Sequence, residues 1–394
     1  MDTKTGLAAF EIAGGSVSGR THVAAGRNSQ DAFCWAADAD RRQTMTTPRP
    51  LPLPPFFEPR NAETWEYAPD QQKLFTTAAE WRGAHGITPA ATDRKNVHLL
   101  LIDVQKDFCF PRGSLYVGGR SGRGALDDNR RIAEFVYRNT NVLTNITTTM
   151  DTHFAFQIFF PSFWVDRDDQ PLGPFREITT DDIDRGDVRP NPAVASWLCN
   201  GNDPWLLKQV RFYCGELEKA GKYRLYLWPP HCILGSDGHG LVGVLHEARM
   251  FHSYARGAQS WVEVKGGNAL TENYSILRPE VLMRHDGQPL GQRNTAFIKT
   301  LLTADAVIIA GQAASHCVKS SIDDLLDEIV TQDKQLARKV YVLADCMSAV
   351  TVPDGKGGFF ADFTPQADEA LGRFADAGMN VVRSTDPIAT WPGM

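Results

Sequence analysis

The sequence predicts an α/β fold built on a mostly parallel sheet. Three observations carry this. First, short continuous apolar runs such as VHLLLIDV (97–104) and Val307 to Ala310 read as strands buried on both faces, the pattern of a parallel sheet. Second, segments with helical spacing of apolar residues alternate with these runs, which implies right-handed β-α-β crossovers. Third, Asp103, Lys265 and Cys317 each stand at the C-terminal end of a predicted strand or in the turn after it. In open α/β sheets that edge is where ligands bind.

Composition narrows the class. The 394 residues are 42% hydrophobic, enough for one large or two modest cores. A formal net charge of −6 gives no basic footprint for nucleic acid. Apolar runs stay short of the roughly 18–20 residues of a membrane span. The N-terminus MDTKTGLAAFEIAGG lacks a charged start, a long apolar core and a cleavage site, so a cytoplasmic protein is expected. The seven cysteines (34, 109, 199, 214, 232, 317, 346) form no C-x-x-C pair and read as free thiols rather than a disulfide framework.

Taken in order, residues 1–46 form a small N-terminal segment with glycine turns. Residues 47–96 combine the proline-rich connector TTPRPLPLPPFFEPR (46–60) with an arm carrying Trp65, Tyr67, Phe75 and Trp81. A helix is predicted from Asp70 to Arg82, and the arm is expected to pack on the main domain. That domain spans 97–394. Its first strand ends at Asp103. A helix from Asp127 to Asn139 and a strand from Asn141 to Met150 follow, the latter ending beside Asp151 and His153. Residues 161–222 are rich in Asp, Pro, Gly and Arg, too long for an ordinary loop, and read as an insertion containing a helix over 203–221. Next come a strand from Arg224 to Trp228, the loop PPHCILGSDGHG, a helix over 241–256 and the strand WVEVK ending at Lys265. A helix over 294–303 feeds the strand before Cys317, which opens a helix through Val318, Ile322, Leu325, Leu326 and Ile329. A strand from Lys339 to Ala344, a helix from Pro365 to Ala377 and a strand from Met379 to Arg383 close the chain.

A cysteine at a strand-to-helix turn is placed to act as a nucleophile, because the helix N-terminus favours the thiolate. A buried structural cysteine is the bland alternative. Asp103 could merely cap a turn, and Lys265 could be a solvated strand-end charge. Together the three make chemical sense: the ammonium favours the thiolate, the carboxylate carries a proton from thiol to leaving amine, and backbone N–H groups at the turn hold an oxyanion.

The motifs resemble those of the nicotinamidase/isochorismatase family of cysteine hydrolases. LLLIDVQKDFC is similar to its aspartate motif, and WPPHCILGSDG to the loop of nicotinamidases. VKGGN with Tyr274 and Ser275 is similar to the lysine motif, and GQAASHCV to the nucleophile motif. The resemblance covers about 97–160 and 224–385. It implies a three-layer α/β/α isochorismatase-like fold with a six-stranded parallel sheet. It further implies Cys317 as nucleophile, Asp103 as proton shuttle, Lys265 as electrostatic partner, and a cis peptide at Gln312–Ala313 that turns the Ala313 N–H towards the oxyanion. Phe108 and Trp228 match the aromatic residues that sandwich a flat ring. Asp151, His153 and His231 match metal ligands, which implies one divalent ion: zinc, manganese or iron. The family's middle histidine is absent, and Phe159 stands near its place. Ser315 stands where many relatives carry an acid.

The expected activity is therefore hydrolysis of a small amide C–N bond through a thioester with release of ammonia. Nicotinamide is the first candidate, and a ureido or carbamoyl compound cleaved without metal is the alternative. A non-catalytic binding protein on the same fold is the competing class. No glycine-rich phosphate loop follows the first strand, which disfavours a nucleotide-binding protein. The resemblance implies a homo-oligomer and no organic cofactor, while charge and hydropathy predict neither nucleic acid nor membrane as partner.

Overall fold

The structure is a computed structural model that describes residues 49–394 apart from Lys222; the predicted segment 1–46 lies outside the described residues. The elements run, in chain order, α1 (Gln71–His85), β1 (Val97–Ile102), α2 (Lys106–Cys109), α3 (Gly124–Arg138), β2 (Asn145–Asp151), β3 (Trp164–Asp166), β4 (Arg176–Ile178), α4 (Thr180–Asp184), β5 (Val188–Pro190), α5 (Pro192–Cys199), α6 (Asp203–Ala220) and β6 (Leu225–Leu227). They continue with α7 (Gly243–Arg256), β7 (Trp261–Lys265), α8 (Thr295–Thr303), β8 (Ala306–Gly311), α9 (Cys317–Gln332), β9 (Val340–Leu343), β10 (Thr351–Pro353), β11 (Phe359–Asp362), α10 (Thr364–Asp376) and β12 (Asn380–Val382).

Six strands form the main sheet in the order β12-β9-β8-β1-β2-β7, and every pairing is parallel. β1 and β8 are buried along their whole length. Their side chains alternate between two cores, as the pleat requires. Leu99, Leu101, Ile308 and Ala310 join the core beneath α3 and α7. Leu100, Ile102, Val307 and Ile309 join the core beneath α8, α9 and α10. This is the three-layer α/β/α arrangement the sequence predicts.

The arm holds to the main body through specific contacts. The Leu51 N–H donates to the Arg138 carbonyl at 2.7 Å. Phe56 packs edge-on against Tyr137, with ring centroids 5.8 Å apart. The Tyr67 and Tyr137 hydroxyls both donate to Glu247. A side chain at Gly243 would place its Cβ 2.0 Å from the Tyr67 carbonyl oxygen, so the close approach of arm and α7 needs glycine there.

Element boundaries differ from expectation in physical detail. α1 runs to His85 because Asp70 caps its start and Gly86, at φ 61°, ends it. β2 starts at Asn145 rather than Asn141. The segment 225–227 is a strand, but it pairs antiparallel with β4 and stays outside the main sheet. Alternation of β and α therefore does not run throughout. Residues 161–222 contain α4, α5, α6, the β3–β5 ribbon and β4, and bury Trp164, Leu206, Val210 and Tyr213 in the same core as α3 and α7. The β10–β11 hairpin has no counterpart in the sequence reading.

Candidate active site

Strand ends assemble the site. Asp103 follows β1, Lys265 ends β7, Asp151 ends β2, and Cys317 opens α9 just beyond β8. Asp151 and Lys265 are register partners, as are Ile102 and Gly311. All four functional side chains are buried.

The Lys265 ammonium is the hub. Its Nζ lies 2.9 Å from Asp103 Oδ2 and 3.1 Å from Asp151 Oδ1. It donates to the Asn273 carbonyl at 2.8 Å and lies 3.7 Å from Cys317 Sγ. Burial alone would favour neutral lysine, but the two carboxylates hold Lys265 well above the usual lysine range. Asp103 is raised: burial and the Asp151 anion outweigh the ammonium and the Thr149 hydroxyl. Asp151 moves the other way. Burial pushes it up, yet His153 and Lys265 hold it well below the carboxylate range. Environments that separate two carboxylates in this way mark the one suited to carry a proton.

Opposing influences meet at Cys317. Lys265 and the helix N-terminus favour the thiolate, as anticipated. Burial, Asp103 and Asp151 oppose it, however, and push the group well above the usual thiol range. The resting group is the thiol, so ionisation requires a proton acceptor, and Asp103 is in contact.

The peptide Gln312–Ala313 is cis, where the resemblance places it. Its surroundings hold it firmly. The Gln312 N–H donates to the Ile102 carbonyl at 2.8 Å. The Gln312 side-chain amide donates to Asp128 Oδ2 at 2.9 Å, and Asp128 also receives Ser348 and Arg131. Gly311 sits at φ 120°, and a Cβ there would lie 2.1 Å from the Ile102 carbonyl oxygen. The N–H groups of Ala313 and Cys317 donate to no carbonyl among the described residues.

Asp151, His153 and His231 form a buried group whose potential ligand atoms lie within 4.8 Å of one another. The Nδ1 of His153 faces the Gly266 carbonyl at 3.1 Å, and that of His231 the Pro229 carbonyl at 2.8 Å. A carbonyl only accepts, so each Nδ1 carries a proton, and each Nε2 faces the Asp151 carboxylate, where a cation could take the place of a proton. Both Nε2 atoms face Asp151 Oδ2, at 2.8 and 3.7 Å. Two imidazoles and one carboxylate suit a divalent transition ion, so the residues fit the group. Phe159, which the resemblance places near the absent histidine, and Phe160 pack on the His153 ring at 4.9 and 5.5 Å.

Phe108, Trp228, His231, Tyr274, Ala313, His316 and Cys317 line one small cavity of ≈ 30 Å³. A larger groove of ≈ 460 Å³ between α8 and α9 shares no residue with it. Sequence reasoning missed several supporting groups. Gln105 bridges β1 to β2, accepting from the Asp151 N–H and donating to its carbonyl. Asp107 accepts from the Cys232 N–H at 2.7 Å and fixes the loop that bears His231. Glu272 is a buried carboxylate on the cavity wall, raised by burial and by Asp151. Gly266, at φ 92°, leaves no room for a Cβ, which would lie 2.6 Å from Asp151 and His153. Of these, only Gly266, the first glycine of VKGGN, carried a readable signal.

Comparison with protein-family models gives no match, and comparison with curated proteins gives none. The structure is similar to solved structures of nicotinamidases and pyrazinamidases. An Acinetobacter baumanii nicotinamidase/pyrazinamidase is 20% identical, with a TM-score of 0.44, over 75% of this chain and 99% of its own. The yeast nicotinamidase is 18% identical, with a TM-score of 0.43, over 73% and 99%. A pyrazinamidase of Pyrococcus horikoshii in complex with zinc is 16% identical, with a TM-score of 0.38, over 73% and 99%.

Proposed function

We propose that the protein is a cysteine-dependent amidohydrolase that cleaves a small amide C–N bond and releases ammonia. The observation that carries this is the contact chain Cys317 Sγ–Lys265 Nζ (3.7 Å)–Asp103 Oδ2 (2.9 Å) beside the N–H groups of Ala313 and Cys317, which donate to no carbonyl among the described residues.

Asp103 takes the Cys317 proton as sulfur attacks the amide carbon, and Lys265 offsets the charge. The oxyanion forms towards the N–H groups of Ala313 and Cys317. Asp103 then gives its proton to the leaving nitrogen, the C–N bond breaks, and ammonia departs from a thioester. Water, deprotonated by Asp103, attacks the thioester; the acid leaves and the thiol regains its proton. Asp151, His153 and His231 would hold a divalent ion, which supplies a Lewis acid for a ring nitrogen or polar edge of the substrate. Phe108 and Trp228 bound the slot, and their rings suit a planar amide such as nicotinamide. The six described cysteines are free, which supports a reducing, cytoplasmic setting.

The test is ammonia release from a panel of small amides, nicotinamide first, on protein as purified, after chelation, and after adding zinc, manganese or iron. Metal-dependent release from nicotinamide supports three protein ligands as sufficient. Release from another amide without metal effect moves the substrate to ureido or carbamoyl compounds. Silence across the panel favours a binding protein on this fold.

A further inference from the structure

Asp128 stands on α3, and three side-chain donors converge on it. Its Oδ2 accepts from the Ser348 hydroxyl at 2.6 Å and from the Gln312 amide at 2.9 Å, and its Oδ1 accepts from Arg131 at 2.8 Å. Asp128 and Gln312 are buried. The Gln312 amide oxygen in turn accepts from the Ser348 N–H at 3.3 Å, so Asp128, Gln312 and Ser348 close a ring of hydrogen bonds. Gly124, the first residue of α3, makes room for this ring, because a Cβ there would collide with the Ser348 side chain. None of the three lines the cavity that holds Cys317. They border instead the turn between β8 and α9, which has four successive N–H groups. Gly311 donates to the Cys346 carbonyl at 3.0 Å, Gln312 to the Ile102 carbonyl at 2.8 Å and Ala314 to the Ser348 carbonyl at 2.8 Å. Ala313 alone of the four donates to no carbonyl among the described residues, and Ala313 lines the cavity beside Cys317. Both neighbours of that open N–H are tied to the ring, Gln312 through its side chain and Ala314 through the Ser348 carbonyl.

We infer that Asp128 is a positioning residue for the oxyanion: through Gln312 and Ser348 it fixes the turn so that the Ala313 N–H meets the oxygen of the tetrahedral intermediate. This rests on the amide-hydrolase reading. A donor aimed in advance needs no reorganisation when charge develops, and that is where its contribution to rate lies. Asp128 stays outside the cavity, so its loss should weaken the hold on the charged intermediate and leave the hold on the uncharged amide nearly as it was.

The experiment compares two ligands of one shape. Pyridine-3-carbaldehyde takes the Cys317 thiol across its C=O bond: sulfur bonds to carbon, the π bond opens, Asp103 takes the thiol proton and the oxygen bears the charge. Nicotinamide bound to Cys317→Ala protein forms no such bond. In Asp128→Asn, aldehyde affinity and kcat for ammonia release should each fall about tenfold or more, while KM stays within about twofold. Nicotinamide affinity should likewise change by less than about twofold when Asp128→Asn is added to Cys317→Ala. Ser348→Ala keeps Asp128 with two of its donors and should show the same split at smaller size, which decides the matter if Asp128→Asn does not fold. An equal loss of aldehyde and amide affinity overturns the proposal, because the whole pocket then depends on Asp128. Unchanged aldehyde affinity in the folded variants overturns it too. So does a wild-type chain that forms no aldehyde adduct, or Cys317→Ala protein that binds no nicotinamide. An Asp128-dependent adduct in a chain that releases no ammonia from any amide counts against hydrolysis instead, and leaves the positioning role standing.

Discussion

Removing the Lys265 ammonium gives the sharpest prediction, because it changes stability as well as chemistry. Lys265→Met keeps the length of the side chain and leaves Asp103 and Asp151 buried without their shared counter-ion, which now stands 2.9 and 3.1 Å away. Breaking a buried pair by removing one partner costs about 3–5 kcal/mol. For 394 residues at about 2.1 cal/mol/K each, that lowers Tm by roughly 4–6 °C. The effect must depend on pH. Asp103 is already raised with Lys265 present, and losing the ammonium raises it further. A carboxyl whose folded pKa lies above its unfolded value binds more protons in the folded state, so its stability contribution is present at low pH and lost as pH rises through the raised value. The gap between wild type and variant should therefore be widest near pH 8 and at least halve near pH 5. Thermal unfolding by circular dichroism at both pH values, in chelated protein, measures it. A loss under about 1 kcal/mol at pH 8, or a gap that widens at pH 5, would refute Lys265 as the counter-ion of these carboxylates.

Three further predictions follow from the same geometry. Cys317→Ala should abolish ammonia release while Tm stays within about 2 °C of wild type, since one sulfur on a cavity wall is removed; an active variant sinks the nucleophile assignment. Asp103→Asn should also lose turnover. Because Asp103 is one of the groups pushing the thiol up, site-resolved alkylation of Cys317 at pH 7 should become faster, and slower alkylation would refute this balance. Gly266→Ala forces a Cβ against Asp151 and His153 at a positive φ and should cost about 1–3 kcal/mol. It should also lower zinc uptake measured by elemental analysis, whereas unchanged uptake would separate Gly266 from the metal group.

What was legible in the sequence was whatever periodicity and strand ends report. VHLLLIDV and AVIIAG read as doubly buried strands because both faces of the sheet are covered, and residues at their C-terminal ends share one edge by topology alone. Asp103, Lys265 and Cys317 were found that way. The cis peptide and the Asp151–His153–His231 group came from motif resemblance, because neither a backbone isomer nor a ligand cluster spanning 80 residues leaves a local pattern. The full balance at Cys317 is not legible in the sequence: proximity to lysine is, but burial and the opposing pair of carboxylates are three-dimensional quantities. WPPHC-adjacent residues 225–227 looked like one more strand of the sheet, since a short apolar run does not say which partner it takes. Glu272, Gln105 and Asp128 carry no periodic signal, and only contact reveals them.

The register pairing of Asp151 with Lys265 and of Ile102 with Gly311 has a mechanical consequence. The distances among Asp103, Asp151 and Lys265 are set at the ends of strands paired by the same ladder of backbone bonds that holds the sheet together. Lengthening a surface loop would then leave this geometry intact. The corollary is that this centre cannot soften by itself: on heating, the groups should keep their alignment up to the temperature at which the ladder parts, and lose it all at once.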